Sequence, residues 1–420
     1  MKVLWLVNIP LPEASLLMKE NMMPFGGWLV TASKDLAYQE NIELIIIFPK
    51  KNIKRFEKFE GERITYYAFK EIDEKSRDSI QNNLNLKSII EKVKPDIVHI
   101  YGTELAHTLA MVNVCNQENI KTIISIQGLV SIIEKHIFAD LPFRVIYGFT
   151  FRNLIKKDNI IGLRNLYHKR GKNEIEAIKK VSNIIGRTTW DRACVYNINN
   201  SAKYYFCNET LREEFYKYSW DIEKCEKYSI FLSQGQYPIK GLHYLLEAMS
   251  IILKKFPQTK LYISGKNIIK EESLRDKLLI TYYGKYIKSL IKKLNLENNV
   301  IFTGPLNEEK MCDRFLKSHV FVSSSTIENE SNSLSEARIL GVPSIASYVG
   351  GVTDRIKHKY DGFLYQHNSP YMLAYYVCKI FNDSELAINL SKRSRQNALE
   401  KHDRKANTKQ LINIYSDILK

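Results

Sequence analysis

The sequence predicts an α/β protein built as two Rossmann-like domains facing across a deep cleft. Three observations carry that expectation. Short apolar runs rich in Ile and Val recur along the chain, separated by polar or helix-like stretches, and continuous apolar runs suit parallel strands covered on both faces. The alternation is played out twice, once in each half, and each such series builds its own layered sheet. The chain has 420 residues, 45% hydrophobic and 11% aromatic, enough for more than one core.

In the first half the pattern predicts strands at 3–7, 42–48, 64–69, 97–101, 122–126, 183–186 and 204–207, with helices at 29–38, 104–116 and 174–181. In the second half it predicts strands at 229–232, 260–263, 300–303, 320–323, 343–347 and 362–365. Amphipathic stretches at 242–256, 283–294, 308–316, 333–340 and 371–381 read as helices, and 384–401 and 405–419 close the chain as two more. The least regular stretch, 209–226, reads as the hinge. The expected domains are therefore 1–215 and 216–402, with a last helix, 403–420, returning to the first. Ligands of such sheets bind beyond the carboxyl ends of the strands.

Composition excludes several classes. Neither half carries G-x-G-x-x-G after its first strand, which speaks against a dinucleotide-dependent hydride transfer. The six cysteines are scattered without a C-x-x-C pair, against a zinc site or a disulfide framework and in favour of a reducing, cytoplasmic setting. No D-x-D triplet offers a metal–diphosphate clamp, so no metal is expected. No apolar run approaches the ~18 residues of a membrane span. The first run is broken by Asn8 and Pro10, which suits a buried strand better than a signal peptide. Net charge is +16, from 62 basic and 46 acidic residues. That excess suits anionic lipid or phosphorylated substrates, and a lysine-rich solvated surface explains it equally well. Nothing resembles a nucleic-acid motif, and no nucleic-acid partner is expected.

The chemistry concentrates in Glu328-Asn-Glu-Ser-Asn-Ser-Leu-Ser-Glu336. It follows a strand-like run and opens a helix-like one, so two carboxylates lie eight residues apart across a helix start. Asn332 and Ser333 are residues that favour helix N-caps. The free amides of such a terminus, here those of Asn332, Ser333 and Leu334, favour a phosphate. Two acids bracketing a phosphate site suit a sugar nucleotide. A second motif, Gln234-Gly235-Gln236-Tyr237-Pro238-Ile239-Lys240-Gly241, lies between a strand and a helix, and Lys240 there either neutralises a departing diphosphate or is a solvated surface lysine. Pro24-Phe25-Gly26-Gly27-Trp28 places two glycines after the first strand, where backbone amides can approach a phosphate or simply form an ordinary turn, the reading the motif favours by itself. Gly350-Gly351 suits a tight turn, against substrate or as a turn alone. Gln127, ending a first-domain strand, can bond a sugar hydroxyl or satisfy its own loop, and Arg187 ends another strand, open to the cleft or to helix-start packing. His99, His107 and His243 have no metal-ligand spacing and read as structural or surface residues.

Together these residues resemble the retaining glycosyltransferases of family 4, which have the GT-B fold. The resemblance rests on E-x7-E at Glu328 and Glu336, then Ala337, Gly341-Val342-Pro343, Gly350-Gly351, Gly362-Phe363-Leu364 and Lys240-Gly241. The E-N-x-x-N-S-L-x-E-A form looks like a subgroup of bacterial surface-polysaccharide assembly. In the first domain the match is looser, at Gly26-Gly27, Pro95-Asp96-Ile97-Val98-His99 and Gly186-Arg187-Thr188. Two departures stand out. The arginine usual five residues before the lysine is Gly235 here, so either the diphosphate loses one clamp or another cation, such as Arg187 or Lys266, replaces it. Gln127 stands near the place of a common histidine and carries over a hydrogen-bonding role alone.

The resemblance implies transfer of a sugar from a UDP- or GDP-linked donor with retained configuration and no cofactor. Glu328 would touch the donor sugar, Glu336 hold the ribose and Lys240 stabilise the leaving diphosphate. The expected acceptor is a glycan or a polyprenyl-diphosphate-linked sugar. The basic, aromatic stretch 135–180 would meet it at an anionic membrane surface, on the inner face of the cytoplasmic membrane, or simply pack on its own domain. A sugar-nucleotide epimerase and a non-catalytic, membrane-binding relative are the competing readings.

Overall fold

The structure, a computed structural model, describes residues 1–21, 26–72 and 79–420. The chain divides into two compact units. One comprises Met1–Ser131, His168–Arg212 and Lys401–Lys420, the other Ile132–Tyr167 and Glu213–Glu400. The segment 132–167, expected within a continuous 1–215 domain, groups with the second unit instead. It is held there by side chains: His243 Nε2 bonds Ala139 O at 3.0 Å, and Tyr244 Oη donates to Asp140 Oδ2 at 2.8 Å.

The first unit is built on β1 (Lys2–Leu6), β2 (Glu43–Lys50), β3 (Glu57–Glu60), β4 (Ile64–Lys70), β5 (Ile97–Tyr101), β6 (Lys121–Ser125), β7 (Asn183–Gly186) and β8 (Lys203–Phe206). Their order is β3-β4-β2-β1-β5-β6-β7-β8, parallel except for β3, which pairs antiparallel with β4 at the edge. The polar sequence Glu57-Lys58-Phe59-Glu60 carries no apolar run, and β3 was not foreseen. A charged edge strand suits a position where one side of the ladder stays open. Central strands bury nearly every side chain, as their Ile/Val runs require. The helix Arg404–Leu419 lies in this unit. Its Tyr415 accepts from Trp5 Nε1 at 2.9 Å and bonds His99 Nδ1 at 2.5 Å, while His99 Nε2 meets Ser125 Oγ at 2.7 Å. Burial pushes His99 down to about 3, so it stands in the core as a neutral hydrogen-bonding group.

The second unit carries β9 (Glu226–Leu232), β10 (Lys260–Ser264), β11 (Val300–Gly304), β12 (Ser318–Ser323), β13 (Ser344–Ser347) and β14 (Phe363–Tyr365). All its strand pairs are parallel, in the order β11-β10-β9-β12-β13-β14. The chain runs outward from β9 to one edge, then restarts at β12 on the other side of β9. The reversal opens a crevice beyond the carboxyl ends of β9 and β12, the position where open α/β sheets bind ligands. Both doubly wound sheets are thus as the alternation predicts.

Helix boundaries differ more. The helix Ile160–Lys180 begins well before the predicted 174, because Gly162 and Gly171 interrupt the apolar spacing without ending the helix. The helix after β12 is Asn332–Leu340, and its N-cap is Ser331, whose Oγ accepts from Leu334 N at 3.3 Å. Asn332 and Ser333, read as cap residues, are instead the first two helical positions.

Candidate active site

Two loops meet over the crevice of the second unit. The one leaving β9 ends in a short 3-10 turn, Pro238–Lys240, and Gly241 then starts the helix Leu242–Ile252 with φ +69°. A Cβ on Gly241 would stand 1.8 Å from Ser324 O, so both the left-handed backbone and the close approach require glycine. The loop leaving β12 is laced to the first: Thr326 N donates to Ile239 O at 2.8 Å and Ser324 Oγ to Lys240 O at 2.9 Å.

This lacing brings together the two residues assigned to catalysis. Lys240 Nζ donates to Glu328 Oε2 at 2.7 Å, and Ser325 Oγ donates to the same oxygen at 3.2 Å. Both charged side chains keep a window to solvent, at 23% exposure for Lys240 and 16% for Glu328. A partly desolvated ion pair at the mouth of a crevice holds each charge in place while leaving it open to a ligand.

Gly350 and Gly351 belong to this site through the backbone. Gly351 N donates to Glu328 O at 3.0 Å, and a Cβ on Gly350, with φ +47°, would fall 2.0 Å from the same oxygen. The turn therefore supports Glu328. Two residues further on, Glu330 turns inward to Arg355 at 2.9 Å, both nearly fully buried. Sequence reading missed Glu330 and Arg355: the E-x7-E spacing singles out Glu328 and Glu336 and carries no sign of where Glu330 turns.

The helix Asn332–Leu340 starts beside Glu328. Its first-turn amides on Asn332 and Ser333 have no acceptor within the helix, but the amide of Leu334, expected to be free for a phosphate, is taken by the Ser331 cap at 3.3 Å; Leu334 and Glu336 are buried. The far end is fixed by Arg338, which donates to Asp361 O at 3.0 Å and Asp361 Oδ2 at 2.8 Å. Gly235 is buried beneath the Lys240 loop. A Cβ there would lie 3.0 Å from both Ile263 and Leu242 side-chain atoms, so a larger residue would press on both. Gln236 Oε1 accepts from Lys266 N at 3.4 Å, tying the exposed Lys266 to this loop cluster.

The remaining predicted residues lie in the first unit. Gly26 caps the helix Gly27–Ala37 with φ +76°, and a Cβ on it would meet Ile9 Cδ1 at 2.8 Å. Pro24 and Phe25 of that motif lie outside the described residues. Arg187 is buried, donating to Ile126 O at 2.9 Å and pairing with Glu209. It is thus committed to its own unit's interior and is not an open cation. Gln127 Nε2 donates to Glu209 Oε1 at 2.8 Å. A carboxylate accepts only, so Glu209 fixes the amide with its nitrogen inward. Sequence reading did not single out Glu209. Among the described residues no group of three or more His, Cys, Asp or Glu side chains could hold a metal ion.

Residues 214–397 match the family described as "Glycosyl transferases group 1". Among curated proteins, the chain is 26% identical over 200 residues to an uncharacterized glycosyltransferase of Methanocaldococcus jannaschii, covering 48% of this chain and 47% of that one. It is 26% identical over 180 residues to a poly(ribitol-phosphate) alpha-N-acetylglucosaminyltransferase of Staphylococcus aureus, covering 43% and 33%. The chain thus spans about half the length, or less, of the curated relatives it matches. In fold it is similar over its whole length to sucrose-phosphate synthase of Thermosynechococcus elongatus, with TM-score 0.69, 14% identity and coverage of 99% and 98%. Anabaena HepE, solved in complex with UDP and glucose, gives TM-score 0.67, 14% identity and coverage of 99% and 100%. These likenesses give the chain the two-sheet architecture of GT-B glycosyltransferase structures.

Proposed function

From the match of residues 214–397 to the family described as "Glycosyl transferases group 1", we propose that this protein is a retaining glycosyltransferase. It moves a sugar from a UDP- or GDP-linked donor to a glycan or lipid-diphosphate-linked acceptor in surface-polysaccharide synthesis, at the inner face of the cytoplasmic membrane. The observation that carries the proposal is the Lys240–Glu328 pair, 2.7 Å apart over the β9/β12 crevice and beside the start of the helix Asn332–Leu340. A cation, free helix amides and an acid converge where a sheet of this topology takes its ligand.

In this reading the donor diphosphate lies against the amides of Asn332 and Ser333, and Lys240 faces its outer phosphate. Glu336 holds the ribose, and Glu328 binds hydroxyls of the transferred sugar. The bond from the anomeric carbon to the phosphate oxygen breaks with its electron pair leaving on the diphosphate. The acceptor oxygen bonds the same face of that carbon, and its proton passes to the departing phosphate oxygen. No side chain is required as base. Lys240 and the helix amides stabilise the growing negative charge, a contribution of several kcal/mol in sites of this kind, and no metal is needed. Gln127, its nitrogen held by Glu209 at 2.8 Å, keeps its carbonyl oxygen as an acceptor suited to a sugar hydroxyl. That Anabaena HepE, similar in fold, binds UDP and glucose supports a nucleotide-sugar donor.

The test is a panel of UDP-, GDP- and ADP-sugars, each followed by thermal shift and by NMR of the released sugar. The proposal expects stabilisation by one nucleotide class and slow release of sugar with unchanged anomeric configuration. Inverted product would exclude the retaining reaction, and no response to any nucleotide sugar would exclude the activity.

A further inference from the structure

The helix Phe151–Lys156 is amphipathic the wrong way round for a water-facing surface. Its buried side chain is polar: Asn153 donates Nδ2 to Asp158 Oδ1 at 2.8 Å and accepts from Tyr282 N at 3.1 Å. Its apolar side chains, Phe151, Leu154 and Ile155, stand at i, i+3 and i+4, which is one face. That face is open to solvent, at 57%, 64% and 63% exposure. A surface helix ordinarily turns such a stripe inward.

This helix is not a frayed end. Thr150 closes a capping box with Asn153. Arg152 donates to Asp158 at 2.7 Å and to Leu279 O at 3.2 Å, tying the helix to its neighbour in the same unit, Leu274–Leu279. That neighbour repeats the pattern. It is capped by a Ser273–Asp276 box and leaves Leu274 and Leu278, at i and i+4, exposed at 80% and 51%. Phe143, on the adjoining helix Phe143–Ile146, is 80% exposed. Around these side chains Lys156, Lys157, Arg275 and Lys277 are solvent-exposed or nearly so, and among the described residues they hold no salt bridge.

We propose that this two-helix platform docks the protein on an anionic lipid bilayer. Phe143, Phe151, Leu154, Ile155, Leu274 and Leu278 enter the boundary between headgroups and acyl chains, and the four cations face lipid phosphates. Charge selects this occupant. A second copy would bring one cationic rim against another in a chain of net charge +16, whereas an anionic surface attracts each of those cations. The proposal deepens the reading of a membrane-side acceptor and rests on it for its purpose, though its test does not require enzyme activity.

The test sediments the full chain with vesicles of phosphatidylcholine alone, or with about one-third phosphatidylglycerol. Two variants are compared, Leu154→Glu/Leu278→Glu and Lys156→Glu/Arg275→Glu. All four positions are solvent-facing, and thermal unfolding confirms that each variant folds. The platform predicts that the parent pellets with anionic vesicles and not with neutral ones. It also predicts that each double variant loses at least about tenfold in partitioning, and that added salt weakens the parent. Equal binding by Leu154→Glu/Leu278→Glu, or no binding by the parent, overturns it. So does a parent dimer that this variant splits without any vesicle binding, since the platform would then join two copies. Thermal shift with UDP is read in parallel: its absence with vesicle binding intact would sink the enzymatic reading and leave the platform standing.

Discussion

Glu330 and Arg355 form an ion pair of 2.9 Å in the interior, two residues along the chain from Glu328. Alternate acids of one loop thus have opposite surroundings: Glu328 looks out at Lys240, while Glu330 anchors the loop to the core. Removing one partner of a buried pair leaves an uncompensated charge. Glu330→Ala should therefore cost about 3–5 kcal/mol of folding stability, measured by urea unfolding. Replacing both members, as in Glu330→Leu/Arg355→Met, should recover much of that loss. A single variant as stable as the parent would contradict the anchoring role.

Lys240→Ala and Glu328→Ala should each reduce turnover by about 10²–10³-fold, as loss of one charge-stabilising group does in enzymes generally. Both side chains are partly exposed, so the unfolding midpoint should move little. Initial rates on the active nucleotide sugar, with a melting curve for each variant, decide it.

Glu336→Ala should act differently. A residue holding the ribose contributes binding shared by ground and transition states, so KM should rise about tenfold with kcat changed less. A fall in kcat with KM unchanged would move Glu336 out of the binding role.

Gly241→Ala places a methyl group 1.8 Å from Ser324 O at a backbone φ of +69°. The strain should cost about 2 kcal/mol or more, and because Gly241 adjoins Lys240, activity should fall further than stability alone explains. Calorimetry beside rate measurement separates the two effects. An unchanged melting temperature would show that the loops are less tightly laced than the structure has them.

The buried histidines set an acid limit. Burial pushes His99 down to about 3, and His107, His243 and His319 down to about 4. In the unfolded chain each takes up a proton near pH 6.5. Between pH 6.5 and 4 the unfolded state therefore binds more protons, and stability falls as pH is lowered, with a slope of up to about 1.4 kcal/mol per pH unit from each. Urea midpoints from pH 7 to 4 should show this decline. His107→Gln, which can still bond Asn8, should flatten it by about one proton.

Much of this was legible in the residues themselves. The Ile- and Val-rich runs marked the central parallel strands, because a strand buried on both faces needs apolar residues at successive positions. The spacing of Glu328 and Glu336 and the loop of Lys240 pointed to the candidate site, where the structure brings Lys240 and Glu328 together, because ligands of such sheets bind just past strand ends. What escaped has a physical reason in each case. β3 is polar because it is an edge. The cap fell on Ser331 although Asn332 and Ser333 favour the same position, since three consecutive cap-forming residues leave the register undecided. The E-x7-E spacing picks out Glu328 but gives no role to Glu330, because its partner Arg355 is brought close only by folding. The helix Leu274–Leu279 carried its own signal in Ser273 and Asp276, a capping box that could have been read.

The proposed reaction requires Lys240 and Glu328 to act together on the diphosphate end of a nucleotide sugar. Hydrolysis of the best nucleotide sugar by the parent, Lys240→Ala, Glu328→Ala and the double variant tests it most directly. Each single variant should fall nearly as far as the double, because the two groups serve one bound donor. Parent-like turnover in both single variants would contradict it.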